Sequence, residues 1–146
     1  MELKGKTAIV TGAGRGIGEG IAMVLAREGA NVVLTARKID EVAAVAKKIE
    51  AQGGKALPLT ADSSKKSDVQ AMAAATLKQF GAIDILVNNA GIEATPTLAV
   101  DLTEEQWDRV LGVNLKGVFL CIQAVLPTMM QQKKGRIVNI ASTAGI

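Results

Sequence analysis

The sequence has 146 residues, of which 49% are hydrophobic, 21% are charged and 2% are aromatic, and its net charge is +3. This size and composition fit one soluble globular domain, and so few aromatic side chains argue against base stacking and hence against a nucleic-acid partner. The chain has neither histidine nor tyrosine. The lack of histidine excludes Ser-His catalysis and histidine-based metal binding, and we predict no metal site.

The chain opens with a strand, a glycine-rich turn and a helix. A β-type run at 7–10 leads into Thr11-Gly12-Ala13-Gly14-Arg15-Gly16-Ile17-Gly18, and a helical pattern extends from about Gly16 to Glu28, with Gly29 expected as the residue that follows its end. The glycines allow close approach to an anion, and the helix N terminus offers unpaired N–H groups. The loop departs from G-x-G-x-x-G because residue 17 is isoleucine, and a turn without ligand would have the same pattern. The context nevertheless favours a dinucleotide diphosphate, which would be bound by Gly12, Gly14, Arg15, Gly16, Ile17 and Gly18.

The remaining elements alternate between strand and helix. Strands are predicted at 31–35, 56–61, 83–87 and 136–140. Ser67 with Gln70, and Thr103 with Gln106, form sequence patterns typical of helix capping boxes. Pro58 cannot donate to a β ladder, so its strand should lie at a sheet edge. We predict an α/β fold, a doubly wound parallel sheet of Rossmann type with strand order 3-2-1-4-5, incomplete on its C-terminal side.

The long helix after Thr103 carries an apolar stripe, in which the polar Asn114 is expected to be buried. Pro127 should kink or end this helix. The apolar stretch 118–130 is interrupted by Gln123 and Pro127 and is too short to span a bilayer. No signal peptide is apparent, so we expect a cytoplasmic protein without a membrane partner. Cys121 lies among apolar neighbours and should be a buried structural thiol. The apolar stripe of the long helix after Thr103 comprises Trp107, Val110, Leu111, Leu115, Val118, Phe119 and Ile122.

Polar residues and glycines follow each predicted strand at the edge where such sheets bind ligands. After the first strand comes the glycine loop. The later strands are followed by Arg37, Asp62-Ser63, Asn88-Asn89-Ala90-Gly91 and Ser142. Their shared position at one edge predicts a single binding crevice.

These motifs resemble the short-chain dehydrogenase/reductase family. The resemblance rests on Thr11-Gly12…Gly16-x-Gly18, Asn88-Asn89-Ala90-Gly91, Asn114-Leu115-x-Gly117 and Gly135-Arg136-Ile137-Val138-Asn139-Ile140-x-Ser142. It covers essentially the whole chain and is closest to the 3-oxoacyl-(acyl-carrier-protein) reductase type. It implies hydride transfer between a nicotinamide coenzyme and a small carbonyl or alcohol substrate.

The resemblance also implies individual roles. Ser142 would hydrogen-bond the substrate oxygen, and Asn114 would hold a water in a proton relay, unless its amide is satisfied by neighbouring backbone. Asp62, beside Ser63, would meet the adenine, although a solvated strand-end carboxylate is an equal alternative. Asn88 would brace the central strands and the adenosine side, and Ala90 and Gly91 would lie near the ribose.

Coenzyme choice follows from the residues after the second strand. The family position for a ribose-binding acid aligns with Ala36, whereas Arg37 and the loop Arg15 suit a 2′-phosphate. We predict NADP(H) over NAD(H), with two solvated surface arginines as the alternative.

The family's Tyr-x-x-x-Lys element does not occur in these residues. We therefore expect residues 1–146 to form one dinucleotide-binding domain, the N-terminal portion of a longer reductase, with little or no activity by itself. A non-catalytic NADP(H)-binding module or sensor is the alternative. The exposed edge and long helix predict a homo-oligomer.

Overall fold

The computed structural model describes residues 1–93 and 96–142. Its strands are β1 (Thr7–Thr11), β2 (Asn31–Ala36), β3 (Lys55–Thr60), β4 (Ile85–Asn88) and β5 (Arg136–Asn139). Its helices are α1 (Gly16–Arg27), α2 (Ile39–Ala51), α3 (Lys66–Phe80), α4 (Glu104–Leu111) and α5 (Gly117–Gln132).

The strands form a five-stranded parallel sheet in the order β3-β2-β1-β4-β5. This confirms the predicted fold class and strand order. Pro58 pairs with Leu34 at the β3 edge, as its missing N–H requires. The boundaries agree with prediction to within one or two residues, with β4 beginning two residues later than expected.

Alternation of side chains along the strands divides the core into two layers. Ala8 and Val10 of β1 point to the face covered by α1 and α2, whereas Ile9 points to the face covered by α3 and α5. Val32 and Val33 of β2 divide in the same way. The apolar strands are therefore buried on both faces, as a doubly wound sheet requires.

Asp84 ties three strands together at the amino edge of the sheet. One carboxylate oxygen, Oδ2, accepts the Thr7 N–H at 3.0 Å. The other, Oδ1, lies 3.7 Å from Lys6 Nζ and 3.4 Å from Lys134 Nζ. The Asp84 carbonyl also accepts the Arg136 N–H at 2.9 Å. This buried carboxylate is thus paired with cations from segments distant in sequence.

Two helix-terminus predictions are confirmed and one is wrong. Gly29, with φ of 90°, follows α1 in the left-handed conformation, and Thr103 and Gln106 form a reciprocal capping box at α4. Ser67 does not cap α3, which begins one residue earlier. Asp68 instead accepts the Asp62 N–H at 3.0 Å, so the acidic side chain stabilises the preceding loop.

The long helical region differs from prediction in two respects. A π-helical turn, Gly112–Lys116, separates α4 from α5, and α5 continues past Pro127 to Gln132. The face of α5 on the sheet carries Leu120, Cys121, Val125 and Met129.

The predicted apolar stripe lies largely on the outside. Trp107, Leu115 and Phe119 are 56%, 66% and 57% exposed. The helical region Glu104–Gln132 has 29 residues, and an 18-residue segment within it has a mean hydropathy of 1.7 and is 22% buried. By length and composition alone this helical region could cross a membrane, as could the core helix of a soluble protein, so the expectation of no membrane partner stays a prediction.

Candidate functional site

A groove of about 750 Å³ runs along the carboxyl edge of the sheet. Its volume is in the range of small-molecule and cofactor sites. Loops following β1, β2, β3 and β4 all contribute, as the sequence predicted for one crevice, whereas Ser142 after β5, predicted at the same edge, does not line the groove. The lining residues are Gly12, Gly14–Gly16, Ile17, Gly18, Thr35, Ala36, Arg37, Lys38, Glu41, Ala61, Asp62, Ser63, Asn89, Ala90, Gly91, Ile92 and Val113.

The glycine loop is shaped by close backbone approaches. Gly12 has φ of 63°, and a Cβ there would lie 2.9 Å from Ala90 Cα. A Cβ on Gly18 would collide with the Gly12 carbonyl oxygen and with Asn89 Nδ2. Gly16 has φ of 57° and open space where a Cβ would stand. The loop therefore packs tightly against the β4 side and is open at Gly16, beside the first N–H groups of α1, which lack helical acceptors.

The turn after β4 is joined to this loop by Thr11 and Asn89. The Thr11 hydroxyl accepts the N–H groups of Asn89 and Ala90, both at 3.0 Å, and donates to the Val87 carbonyl at 3.4 Å. Asn89 Nδ2 donates to the carbonyls of Thr11 at 3.0 Å and Gly12 at 3.1 Å. These hydrogen bonds fix one wall of the groove relative to the other.

Four charged side chains line the α2 end of the groove. Arg15 and Arg37 are exposed, and neither forms an ion pair with an acidic side chain in the described residues. Lys38 Nζ lies 3.7 Å from Glu41 Oε1. The side chain of Glu41 rests on Gly14: a Cβ on that glycine would lie 2.7 Å from Glu41 Cβ. This end of the groove consequently carries three cations and one acidic side chain of α2, while Asp62 approaches Arg37 from the loop after β3.

Asp62 is held in the β3–α3 loop as an ionised acceptor. Its Oδ1 accepts the Ser64 hydroxyl at 2.7 Å and the Ser64 N–H at 3.0 Å. Burial by itself would raise the pKa of Asp62, but the Ser64 hydrogen bonds and the nearby cations Lys65 and Arg37 lower that pKa below its ordinary value. In the part of the chain that the structure describes, no hydrogen bond or ion pair reaches Oδ2, so Asp62 presents a charged oxygen beside the groove.

Asn88, the last residue of β4, does not line the groove. It is 3% exposed, and its Nδ2 donates to Asn139 Oδ1 on β5 at 2.9 Å. Within the described part of the chain its Oδ1 is buried without a hydrogen-bond partner. The side chain therefore braces β4 against β5, while its predicted role toward a coenzyme stays a prediction.

Asn114 is not buried, contrary to expectation. It is exposed in the π-helical turn. Its Oδ1 accepts the Ile92 N–H and its Nδ2 donates to the Ile92 carbonyl, both at 2.9 Å. The amide is satisfied by backbone, the alternative that the sequence left open, and it holds the loop after β4 against the helical region.

Ser142 is exposed beyond the carboxyl end of β5, and it is not among the residues that line the groove. Its catalytic role and that of Asn114 stay predictions. By contrast, the other predicted coenzyme residues, Asn88 apart, all line the groove.

Sequence reasoning missed several groove residues. Asn89 lines the groove and Thr11 holds the turn after β4, but the motifs that contain them predicted no role for either side chain. Glu41, Ile92 and Val113 gave no signal, because their positions follow from how α2 and the helical region pack. Lys38 could have been found, since it follows Arg37 directly.

The residues present fit a dinucleotide. The groove offers an open glycine turn at a helix N terminus, two exposed guanidinium groups and a carboxylate at the next loop. In residues 1–93 and 96–142, no group of three histidine, cysteine, aspartate or glutamate side chains could hold a metal ion. The donor set is therefore one for anions and ribose hydroxyls.

The chain is similar to known proteins over nearly its whole length. The family model described as short chain dehydrogenase matches residues 6–146. A 3-oxoacyl-(acyl-carrier-protein) reductase FabG of Staphylococcus epidermidis is 45% identical over 141 residues, which are 96% of this chain and 57% of the relative. The (2S)-[(R)-hydroxy(phenyl)methyl]succinyl-CoA dehydrogenase subunit BbsD of Thauera aromatica is 43% identical over 144 residues, covering 99% and 58% of the two chains.

Solved structures agree closely with the fold. A metagenomic short-chain oxidoreductase in complex with NADP has a TM-score of 0.95 and 41% identity, and the match covers 99% of this chain and 66% of that one. A short-chain type dehydrogenase/reductase from Mycobacterium marinum has a TM-score of 0.95 and 39% identity, with 99% and 57% covered. The chain thus spans a little over half the length of the curated relatives it matches.

Proposed function

The chain belongs to the short-chain dehydrogenase family, and we propose that its groove binds NADP(H). We further propose that the chain is the coenzyme-binding part of an oxidoreductase of the 3-oxoacyl reductase type. The observation that carries this proposal is the glycine loop, with its open turn at Gly16 and its tight contact between Gly18 and Gly12. A diphosphate at the N terminus of α1 would receive hydrogen bonds from unpaired N–H groups.

The charges at the α2 end of the groove support NADP(H) over NAD(H). Ala36 stands where an acid would bind the ribose 2′-hydroxyl, and Arg15 and Arg37 line the same region. Guanidinium groups bind a phosphate dianion with paired, charge-assisted hydrogen bonds. The related metagenomic oxidoreductase was crystallised with NADP, which is consistent with this choice.

The roles of the chain's own residues follow from their placement. Asp62 would accept hydrogen bonds at the adenosine end, and Ala90 and Gly91 would let the ribose approach the β4 loop. The coenzyme would supply the hydride, while the chain orients it. Ser142 and Asn114 would act toward a carbonyl or alcohol substrate. We propose that residues 1–146 form one dinucleotide-binding domain, the N-terminal part of a longer reductase, and have little activity by themselves.

We also propose a soluble, cytoplasmic protein. The region Glu104–Gln132 packs on the sheet through Leu120 and Val125, which supports this proposal. Lys116 near its middle would be costly in lipid. The exposed side chains Leu115 and Phe119 are proposed to contact a second copy of the chain, giving a homo-oligomer.

The substitution Arg37→Asp tests the coenzyme assignment. Binding of NADPH and NADH is measured by calorimetry for both proteins. We expect the unsubstituted chain to favour NADPH, and the variant to shift toward NADH by at least tenfold, about 1.4 kcal/mol. Arg27→Asp, on an exposed position of α1 outside the groove, is the matched control. If neither coenzyme bound the folded chain, the proposed function would be wrong.

The alternative function is a non-catalytic NADP(H)-binding module or sensor, which would share the groove but lack the proton donor that the family's reaction needs. An assay of NADPH-dependent reduction of a 3-oxoacyl thioester distinguishes a reductase from a non-catalytic module. A protein extended beyond Ile146 that binds NADPH but reduces no carbonyl compound would favour the module.

A further inference from the structure

We propose that Glu41 is a specificity-determining residue that weakens the preference of the groove for a 2′-phosphorylated coenzyme. The inference rests on the proposed NADP(H) site. Glu41 is one of two acidic side chains that line the groove: it lies beside Lys38 on α2, whereas Asp62 approaches Arg37 from the loop after β3. Since like charges repel, a carboxylate there opposes a phosphate dianion but not a neutral hydroxyl.

The position of Glu41 is fixed by contact with the phosphate-binding loop itself. It lies in the first turn of α2, and its side chain covers Gly14. A Cβ on Gly14 would be 2.7 Å from Glu41 Cβ and 3.1 Å from Glu41 Oε2. The carboxylate therefore stands against the residue that precedes Arg15, although the Glu41 side chain is 40% exposed.

The partner of Glu41 strengthens the effect. Lys38 Nζ lies 3.7 Å from Glu41 Oε1, and both side chains line the groove. While that ion pair persists, the lysine charge is partly neutralised and held over α2. Removing the carboxylate would release Lys38 to meet an incoming phosphate. Direct repulsion and the engaged lysine thus act in the same direction.

The test is Glu41→Gln, which keeps the size of the side chain and its contact with Gly14. Dissociation constants of NADPH and NADH are measured for both proteins, together with those of 2′,5′-ADP and 5′-AMP, which isolate the phosphate. We expect the ratio of NADPH affinity to NADH affinity to rise about three- to tenfold at low salt, with a smaller rise at 0.5 M salt because screening weakens charge interactions. Glu41→Ala should shift the ratio in the same direction.

Asp40→Asn is the matched control. Asp40 is the exposed neighbour in the same helical turn, and it does not line the groove, so its neutralisation should change the ratio less than twofold. An unchanged or lower ratio in both Glu41 variants would overturn the inference while leaving the proposed function intact. Failure of the unsubstituted chain to bind any of the four nucleotides would overturn both.

Discussion

The Thr11 hydroxyl and the Asn89 side chain form a reciprocal pair between β1 and the turn after β4. Thr11 accepts the Asn89 N–H, and Asn89 donates from Nδ2 to the Thr11 carbonyl, each at 3.0 Å. These hydrogen bonds hold the end of β1 and the turn after β4 together. The glycine loop and the wall opposite it consequently behave as one unit.

Thr11→Val tests this pair. The substitution keeps the shape of the side chain but leaves the N–H groups of Asn89 and Ala90 without their acceptor. We expect the free energy of unfolding to fall by about 1–3 kcal/mol. Urea denaturation measures it. Thr60→Val, at an exposed position of β3, is the control and should change stability by less than about 0.5 kcal/mol. Equal effects of the two substitutions would contradict the assigned role.

A pair of glycines in α1 separates loop packing from helix propensity. Gly18→Ala places a methyl group against the Gly12 carbonyl. We expect the free energy of unfolding to fall by about 1–3 kcal/mol and coenzyme binding to be lost. Gly20 has open space around it, and Gly20→Ala should raise stability by about 0.5–1 kcal/mol. Thermal unfolding and calorimetry measure both quantities. Tolerance of Gly18→Ala would show that the loop is looser than described.

Cys121 should be chemically inert in the folded protein. Burial raises the pKa of its thiol from 9.0 to about 11, and only the thiolate reacts readily. Iodoacetamide at pH 8 should leave the native chain unmodified and label it in urea, as mass spectrometry would show. Rapid labelling of the native chain would place this thiol at the surface.

The same shift makes stability depend on pH. The Cys121 thiol loses its proton near pH 9.0 in the unfolded chain and near pH 11 in the folded chain. Its contribution to the free energy of unfolding is therefore complete below pH 9 and declines between those two values. Cys121→Ala removes that titration. Relative to Cys121→Ala, the free energy of unfolding of the unsubstituted protein should therefore fall as the pH rises from 9 to 11, and the difference between the two proteins should be constant from pH 6 to 8.

The exposed face of the helical region should govern association. Leu115→Glu places a charge where an apolar side chain is 66% exposed. We expect this variant to be monomeric by light scattering at a concentration where the unsubstituted chain self-associates. Val24→Glu, on α1 at 48% exposure, adds the same charge elsewhere and should not change the mass. A monomeric unsubstituted chain would contradict the proposed oligomer.

Local sequence signals predicted the sheet well. The glycine loop, Pro58 and Gly29 each require a particular backbone environment, and β1, β3 and the end of α1 provide it. The crevice was equally predictable, because the carboxyl ends of parallel strands lie along one edge.

The helical region was harder to predict, because it is apolar on more than one face. A helical period fits the set with Leu115 and Phe119 as well as the set with Leu120 and Val125, and periodicity does not say which set faces the sheet. The π-helical turn also changes the phase between α4 and α5. Asn114 was assigned to the core for this reason, although it is exposed and bonded to Ile92.

The parallel order of the sheet has a consequence for synthesis on the ribosome. One neighbour of β1 is close in the chain, since Thr7 pairs with Asn31, but the other is far away, since Ala8 pairs with Ile85. About 50 residues separate β2 from β4, and at about 5–20 residues per second they take roughly 3–10 s to emerge. Throughout that interval the second hydrogen-bonding edge of β1 has no partner, so the nascent chain is most vulnerable to aggregation before Ile85–Asn88 is released.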